Sequence, residues 1–377
     1  MTLREPSFTF GIEEEYHLVD RATRDLVAAP PALMDECAAR LGDRFSPEFL
    51  RSQIEVGTPV CRSFREAREH LAQLRTTIGK IAARHGLAPM AASTHPFGRS
   101  SHQRPTDKER YRVLAQDLQG VGRRLVICGM HVHVAIEDDE LRIDVMNQAR
   151  YFLPHLLALS TSSPFWEGED TGLKSYRLSV FDELPRTGMP GRFAGWDEYA
   201  RTVDVLVKSG VIADASKIWW DLRPSARFPT LEMRIPDVCT RMADGLAIAA
   251  LYLCFCGALY RFRRANQSWR TYPVFLLEEN RWRAQRYGVQ GSLFDFGKGA
   301  LVPFPDLMGE IQALIAEDAA RFGCEAEVAH AKSIVAEGTS ADRQIATYQR
   351  LRAGGTSHDD ALKGVVDRLI AETLEIG

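Results

Sequence analysis

Four stretches of the chain alternate apolar and polar side chains with a period of two, the mark of a strand whose one face lies on a core. In residues 8–19, Phe8, Phe10, Ile12, Tyr16 and Leu18 fall on one side, and Glu13, Glu15 and His17 on the other. Glu14 lands among the apolar residues, where nothing in the pattern accounts for it. Residues 51–59 set Ile54 and Val56 against Gln53 and Glu55. Residues 126–136 set Cys128, Met130, Val132 and Val134 against His131 and His133. Residues 226–236 set Leu231, Met233 and Ile235 against Thr230, Glu232 and Arg234. Further strands are predicted over 87–92 and 217–223.

Three-four spacing predicts a helix over 63–85. Ser63 and Glu66 form a capping box, Phe64, Ala67, Leu71, Leu74, Ile78 and Ile81 make the apolar stripe, and Gly86 ends it. Helices are also expected over 31–42, over 106–118 behind a second capping box (Thr106 with Glu109), and over 197–207 with Asp197 as N-cap. Residues 141–160 read as helix with a bend or break at Pro154. From Arg241 onward the pattern is almost wholly helical, including 244–264, 274–287, 305–322 and 359–376. The polar, glycine- and aromatic-rich residues 162–181 suit a ligand-lining loop. With no linker or repeat, the expectation is one α+β domain over 1–377, a sheet-forming core about 8–240 and a helix-rich part about 241–377. The sheet would be mainly antiparallel and curved, with helices on one face and the chemistry on the other.

Composition narrows the partners. A 45% hydrophobic content supports a large core, and a net charge of -3 with both signs thoroughly mixed leaves no block to hold nucleic acid or an anionic membrane. The apolar run 246–260 is shorter than the roughly 20 residues of a membrane span and reads as a buried helix. The start, Arg4-Glu5 followed by a strand, carries no apolar leader, so a cytoplasmic protein is expected. Seven cysteines, an odd number, argue for reduced thiols, and none has zinc-finger spacing.

Opposite their apolar faces, the four alternating strands carry Glu13 and Glu15, Glu55, His131 and His133, and Glu232 with Arg234. Laid side by side, these faces gather four carboxylates and one or two imidazoles, a donor set for hard divalent cations such as Mg²⁺ or Mn²⁺. Arg223, Arg227 and Arg234 supply guanidinium forks that match phosphate oxygens. Together they point to phosphoryl transfer. Each residue alone has an ordinary explanation: a solvated glutamate, a structural histidine, an arginine paired with Asp221 or Asp237 at the surface. Repetition across four strands is what favours a site. Rival motifs fail: Gly291 to Gly299 has one residue too many for a phosphate loop and no Ser/Thr after Lys298, and Gly120-Val-Gly122 has Leu125 where a dinucleotide fingerprint needs glycine.

Four segments, Phe10-Gly-Ile-Glu-Glu-Glu-Tyr16, Cys128-Gly-Met-His-Val-His-Val134, Ser162-Ser-Pro-Phe-Trp-Glu-Gly168 and Arg223-Pro-Ser-Ala-Arg-Phe-Pro-Thr-Leu-Glu-Met-Arg-Ile-Pro236, resemble the carboxylate-amine ligase family, also called glutamate-cysteine ligase type 2. The resemblance runs from about residue 8 to 287. It implies a glutamine synthetase/guanidino kinase-like catalytic fold that binds ATP with Mg²⁺ or Mn²⁺. Carried over by position, Glu13, Glu15 and Glu55 are metal ligands, as are His131, in a segment similar to the glutamine synthetase histidine motif, and Glu232. His133 contacts the nucleotide, and Arg227 and Arg234 hold the transferred or leaving phosphate, beside Arg223. Arg177 is the candidate for the substrate α-carboxylate. The implied reaction joins a small-molecule carboxylate, L-glutamate, to an amine, L-cysteine or another, through an acyl phosphate. Glu14 would serve as general base only if a bulge turned it. The alternatives are an ATP:guanidino phosphotransferase and a non-catalytic ATP- and metal-binding protein. The helix-rich C-terminal part suits a homodimer.

Overall fold

The computed structural model describes residues 4–376. Its centre is an antiparallel seven-stranded sheet built around β1 (Phe10–Asp20), the longest strand. One side of β1 pairs with β3 (Gln53–Gly57), which in turn pairs with the short β2 (Phe45–Pro47). The far end of β1 pairs with β4 (Leu87–Met90). On its other side lies β5 (Met130–Ala135). Two tiny strands, β6 (Phe165–Trp166) and β7 (Glu169–Asp170), pair only with each other. The main sheet then continues from β5 through β9 (Thr230–Met233) to β8 (Leu222–Pro224).

The alternating stretches thus form strands as expected, each shorter than its pattern. The pattern persists where the chain leaves the ladder, because one side still faces the core; only hydrogen bonding defines the ends. The stretch 217–223 begins as a 3-10 turn, Ala215–Lys217, and is strand only at its end. β2 was not expected; its three residues are too few to show a period.

Phe10, Ile12, Tyr16, Ile54, Val56, Met130, Val132, Val134, Leu231 and Met233 form the closed side of the sheet, all 3% exposed or less. Against it packs the helix Met242–Arg264, buried along nearly its whole length. That helix is long and apolar enough to cross a membrane, yet here it is core. The helix Phe64–Arg84 begins at Ser63, whose hydroxyl accepts from Glu66 N, and buries the predicted stripe. Burial of Leu71 or Leu74 contributes roughly 1.5–3 kcal/mol each.

Glu14 finds its reason on this apolar side. Its two oxygens accept from Arg75 Nε at 3.0 Å and Nη2 at 2.7 Å, and from the Tyr16 hydroxyl. Arg75 also donates to the carbonyls of Cys239 and Thr240, so the ion pair ties β1 to the helix Phe64–Arg84 and to the entry of the helix Met242–Arg264. Fully buried and turned from the open face, Glu14 is no general base.

Several boundaries shift for local reasons. Pro154 splits the stretch 141–160 into helices Asp139–Ala149 and Leu153–Ser160, joined by the 3-10 turn Arg150–Phe152. Thr106 does not cap a helix: its hydroxyl donates to Glu48 O, and the helix runs Glu109–Arg123. Gly195, not Asp197, precedes the helix Trp196–Lys208. Residues 291–299 belong to a hairpin of β10 (Ser292–Asp295) and β11 (Ala300–Pro303), not a phosphate loop. The C-terminal part is helical, including Val274–Tyr287, Phe304–Leu314, Glu325–Glu337, Ser340–Ala353 and His358–Leu374.

Candidate active site

The antiparallel register puts the polar side chains in rows across the open face. Glu15 lies opposite Glu55 on β3; Glu13 lies opposite His131 on β5; His133 lies opposite Glu232 on β9; Glu232 lies opposite Arg223 on β8. All of them line one cavity of about 1120 Å³ over the sheet, together with Arg177, Arg227 and Arg234.

The cavity floor has three charge zones. At the β3 edge, ligand oxygens of Glu15, Glu55 and Glu48 lie within 4.8 Å of one another. Ser46 donates to Glu55 at 3.1 Å. Burial pushes the Glu55 carboxyl well above the usual carboxylate range, and the charges of Glu48, Glu13 and Glu15 push it further. Three crowded carboxylates whose mutual repulsion a positive ion would relieve are the donor set of a hard divalent cation, and the residues fit such an ion. Glu48 escaped the sequence reading: it follows β2 at a turn of irregular backbone, where no alternation marks its direction.

In the middle, Glu13 accepts from both imidazoles, His131 Nδ1 at 3.2 Å and His133 Nε2 at 3.4 Å. Burial alone would raise its carboxyl, but these two histidines hold it well below the ordinary value. His131 is lowered by burial and by the Arg234 charge. His133 shows the reverse: burial lowers it, but Glu13 and Glu232 outweigh that and raise it. Its Nδ1 is 2.9 Å from Thr230 Oγ1.

At the β8 edge the sign changes. Arg223 grips Glu232 through Nε at 3.0 Å and Nη2 at 3.1 Å, while its Nη1 bonds the carbonyls of Ser216 and Ile218. Arg234 also bonds Glu232 and reaches His131 Nδ1 at 3.4 Å; its Nε is buried without a partner. Burial would raise Glu232, but Arg234, Arg223 and His133 bring it far below the usual range. Glu232 is thus held by arginines here, and Arg223 is anchored at every nitrogen.

Arg177 lies under the β5 entrance, buried, donating to the Ile235 and Arg234 carbonyls at 3.2 Å. Gly129 makes this possible, since a Cβ there would stand 2.5 Å from Arg177 Nη2. The Gly129 amide donates to Glu15 at 2.6 Å, fixing that carboxylate. Behind Arg177, Asp237 accepts from Ser162 N and from the Ser163 and Ser175 hydroxyls. Asp221 is also buried, paired with Arg281, so neither aspartate is a surface partner for the cavity arginines. Of residues 162–181, only Arg177 and Phe181 reach the cavity. Arg227 sits exposed in the turn between β8 and β9, its guanidinium 5.8 Å from the Phe228 ring.

This arrangement can hold a cation-bound polyanion: acids at one edge, arginines at the other, imidazoles between. Across the family level, the sequence profile of glutamate-cysteine ligase family 2 matches residues 9–368. The chain belongs to that family. A Rhodospirillum rubrum protein provisionally named glutamate–cysteine ligase 2 is 60% identical over 377 residues, covering 99% of this chain and 97% of its own. Among solved structures, the glutamate–cysteine ligase of Francisella tularensis in complex with AMP superposes with a TM-score of 0.68 at 14% identity, covering 98% of this chain and 90% of that one. The bifunctional glutathione synthetase of Pasteurella multocida gives the same TM-score of 0.68 at 15% identity, covering 97% of this chain and 53% of that one. At such identities the likeness is one of fold. Membership makes the chain an ATP-dependent ligase of the glutamate–cysteine type, forming a C–N bond.

Proposed function

We propose that this family member joins the γ-carboxylate of L-glutamate to an amine on the open face of the sheet, using ATP and a divalent cation, Mg²⁺ or Mn²⁺. The observation that carries the reading is the convergence of Glu15, Glu48 and Glu55 within 4.8 Å, beside Glu13, His131 and His133 and facing Arg234. Bound there, the cation neutralises phosphate oxygens and draws charge from the transferring group.

The chain's own groups do the rest. Glu15, Glu48 and Glu55 form one cation seat, and Glu13 with His131 a second. His133 contacts the nucleotide. Arg234, whose Nε has no partner, takes an oxygen of the transferring phosphoryl, and Arg227 reaches the phosphates from the exposed turn between β8 and β9. Arg177 orients the amino-acid carboxylate. A glutamate carboxylate oxygen attacks the γ-phosphorus and ADP leaves. The amine then attacks the acyl phosphate carbon, phosphate departs, and an amide remains. L-cysteine is the nominal amine. All seven cysteines of the chain are free and buried, which supports a reducing, cytoplasmic setting.

Glu13→Gln and Glu15→Gln each lower ADP release by on the order of 10³-fold, several kcal/mol of transition-state stabilisation, while the fold persists. Near-wild-type turnover in both would remove the assignment. The check is a coupled ADP assay with glutamate and a panel of amines, Mg²⁺ and Mn²⁺ compared.

A further inference from the structure

A second cavity of about 500 Å³ shares no lining residue with the first. That volume falls in the range of small-ligand sites, about 300–1,000 Å³. One wall starts at Tyr151, in the 3-10 turn before the helix Leu153–Ser160, and continues through Trp269 and Tyr272. The Tyr151 ring centroid is 5.4 Å from that of Trp269 and 5.7 Å from that of Tyr272. Three π faces therefore crowd one volume. Leu307 and Ile311, one turn apart on the helix Phe304–Leu314, supply an apolar side.

One polar atom in this lining, Trp269 Nε1, is buried without a hydrogen-bond partner. Leaving such a donor unpaired is costly, and the site gains when a ligand acceptor answers it. The cavity also carries both signs of charge. Lys298 lies between Asp295, at 3.7 Å, and Glu310, so two carboxylates share one ammonium. Arg270 lines the same cavity. An aromatic enclosure with surplus carboxylate and a guanidinium is chemistry the ligase reaction leaves unused.

We propose that this cavity binds a small zwitterion with an aromatic body, the class of an aromatic α-amino acid. The ring packs among Tyr151, Trp269 and Tyr272, where offset and edge contacts favour another aromatic. The ammonium meets Asp295 and Glu310, and the carboxylate meets Arg270 and accepts from the unpaired Trp269 Nε1. Because no residue here belongs to the acidic sheet face, the proposal stands or falls independently of the ligase reading.

Calorimetric titration of the full-length protein with L-phenylalanine, phenethylamine and 3-phenylpropionate tests it. The expected result is saturable binding of L-phenylalanine and at least tenfold weaker binding of the two probes that each lack one charge. Ile311→Trp, which fills the cavity, abolishes that binding. Glu310→Gln, an exposed substitution that spares the fold, weakens it several-fold. No saturable binding of L-phenylalanine, equal binding of all three probes, or an affinity unchanged in both variants would overturn the proposal.

Discussion

Glu48 carries the most informative single-residue test, because it enters the site only through the folded structure. Glu48→Gln removes one oxygen donor from a three-carboxylate cluster. We expect ADP release to fall on the order of 10²-fold, about 3 kcal/mol, with a raised metal requirement. Metal-free thermal stability should hold or rise, since a mutual repulsion is relieved; an unchanged metal requirement would exclude Glu48 from the cation seat. Glu14 behaves oppositely. Arg75→Met strands a fully buried carboxylate and should cost about 3–5 kcal/mol in urea unfolding. The sequence showed Glu13, Glu15, His131, His133 and Glu232 each to lie opposite the apolar side of its own strand because period-two alternation fixes direction. It could not show that Glu14 meets Arg75, which lies 61 residues away, nor that Glu48 turns inward from irregular backbone.

At the scale of elements, the loop after β4 holds a buried histidine that should register pH. His95 accepts from Phe97 N at 3.2 Å and Gly98 N at 2.7 Å through Nδ1, while Nε2 donates to Arg24 O at 2.8 Å. Burial pushes its pKa down to about 4, against a weaker pull upward from the Arg24 carbonyl and Asp25; His17, with its own pKa near 3, faces it. A neutral-only histidine contributes stability that is full above its unfolded pKa of about 6.5 and drains away as pH falls toward the folded value. Between pH 7 and pH 5 this amounts to about 2 kcal/mol. His95→Asn keeps an acceptor without a titrating ring, so its unfolding free energy should fall less than the wild type's over that interval. Equal slopes would contradict the assignment. Strand and helix identity was readable from periodicity, whereas boundaries were not. Thr106 and Asp197 look like caps in sequence, but a tertiary acceptor, Glu48 O, takes the Thr106 hydroxyl, and the helix near Asp197 starts one residue sooner.

For the whole molecule, the sheet order β2-β3-β1-β5-β9-β8 is what converts four separate strand faces into one charged floor. Alternation predicts each face, but neighbour order depends on long connections whose path no local pattern encodes. The family resemblance implied one acidic catalytic sheet without a neighbour order; the register supplies it, setting Glu13 opposite His131 and His133 opposite Glu232. The gradient from acids at β3 to arginines at β8 then suits a cation–triphosphate laid across the strands, with the amino-acid carboxylate proposed at the Arg177 side. The most direct test follows the products of one incubation with ATP, Mg²⁺, L-glutamate and a reactive amine by mass spectrometry and phosphate assay. The account predicts one ADP and one free phosphate for each γ-glutamyl amide formed. A stable phosphorylated product with no free phosphate, or ATP binding without turnover for every amine, would contradict it.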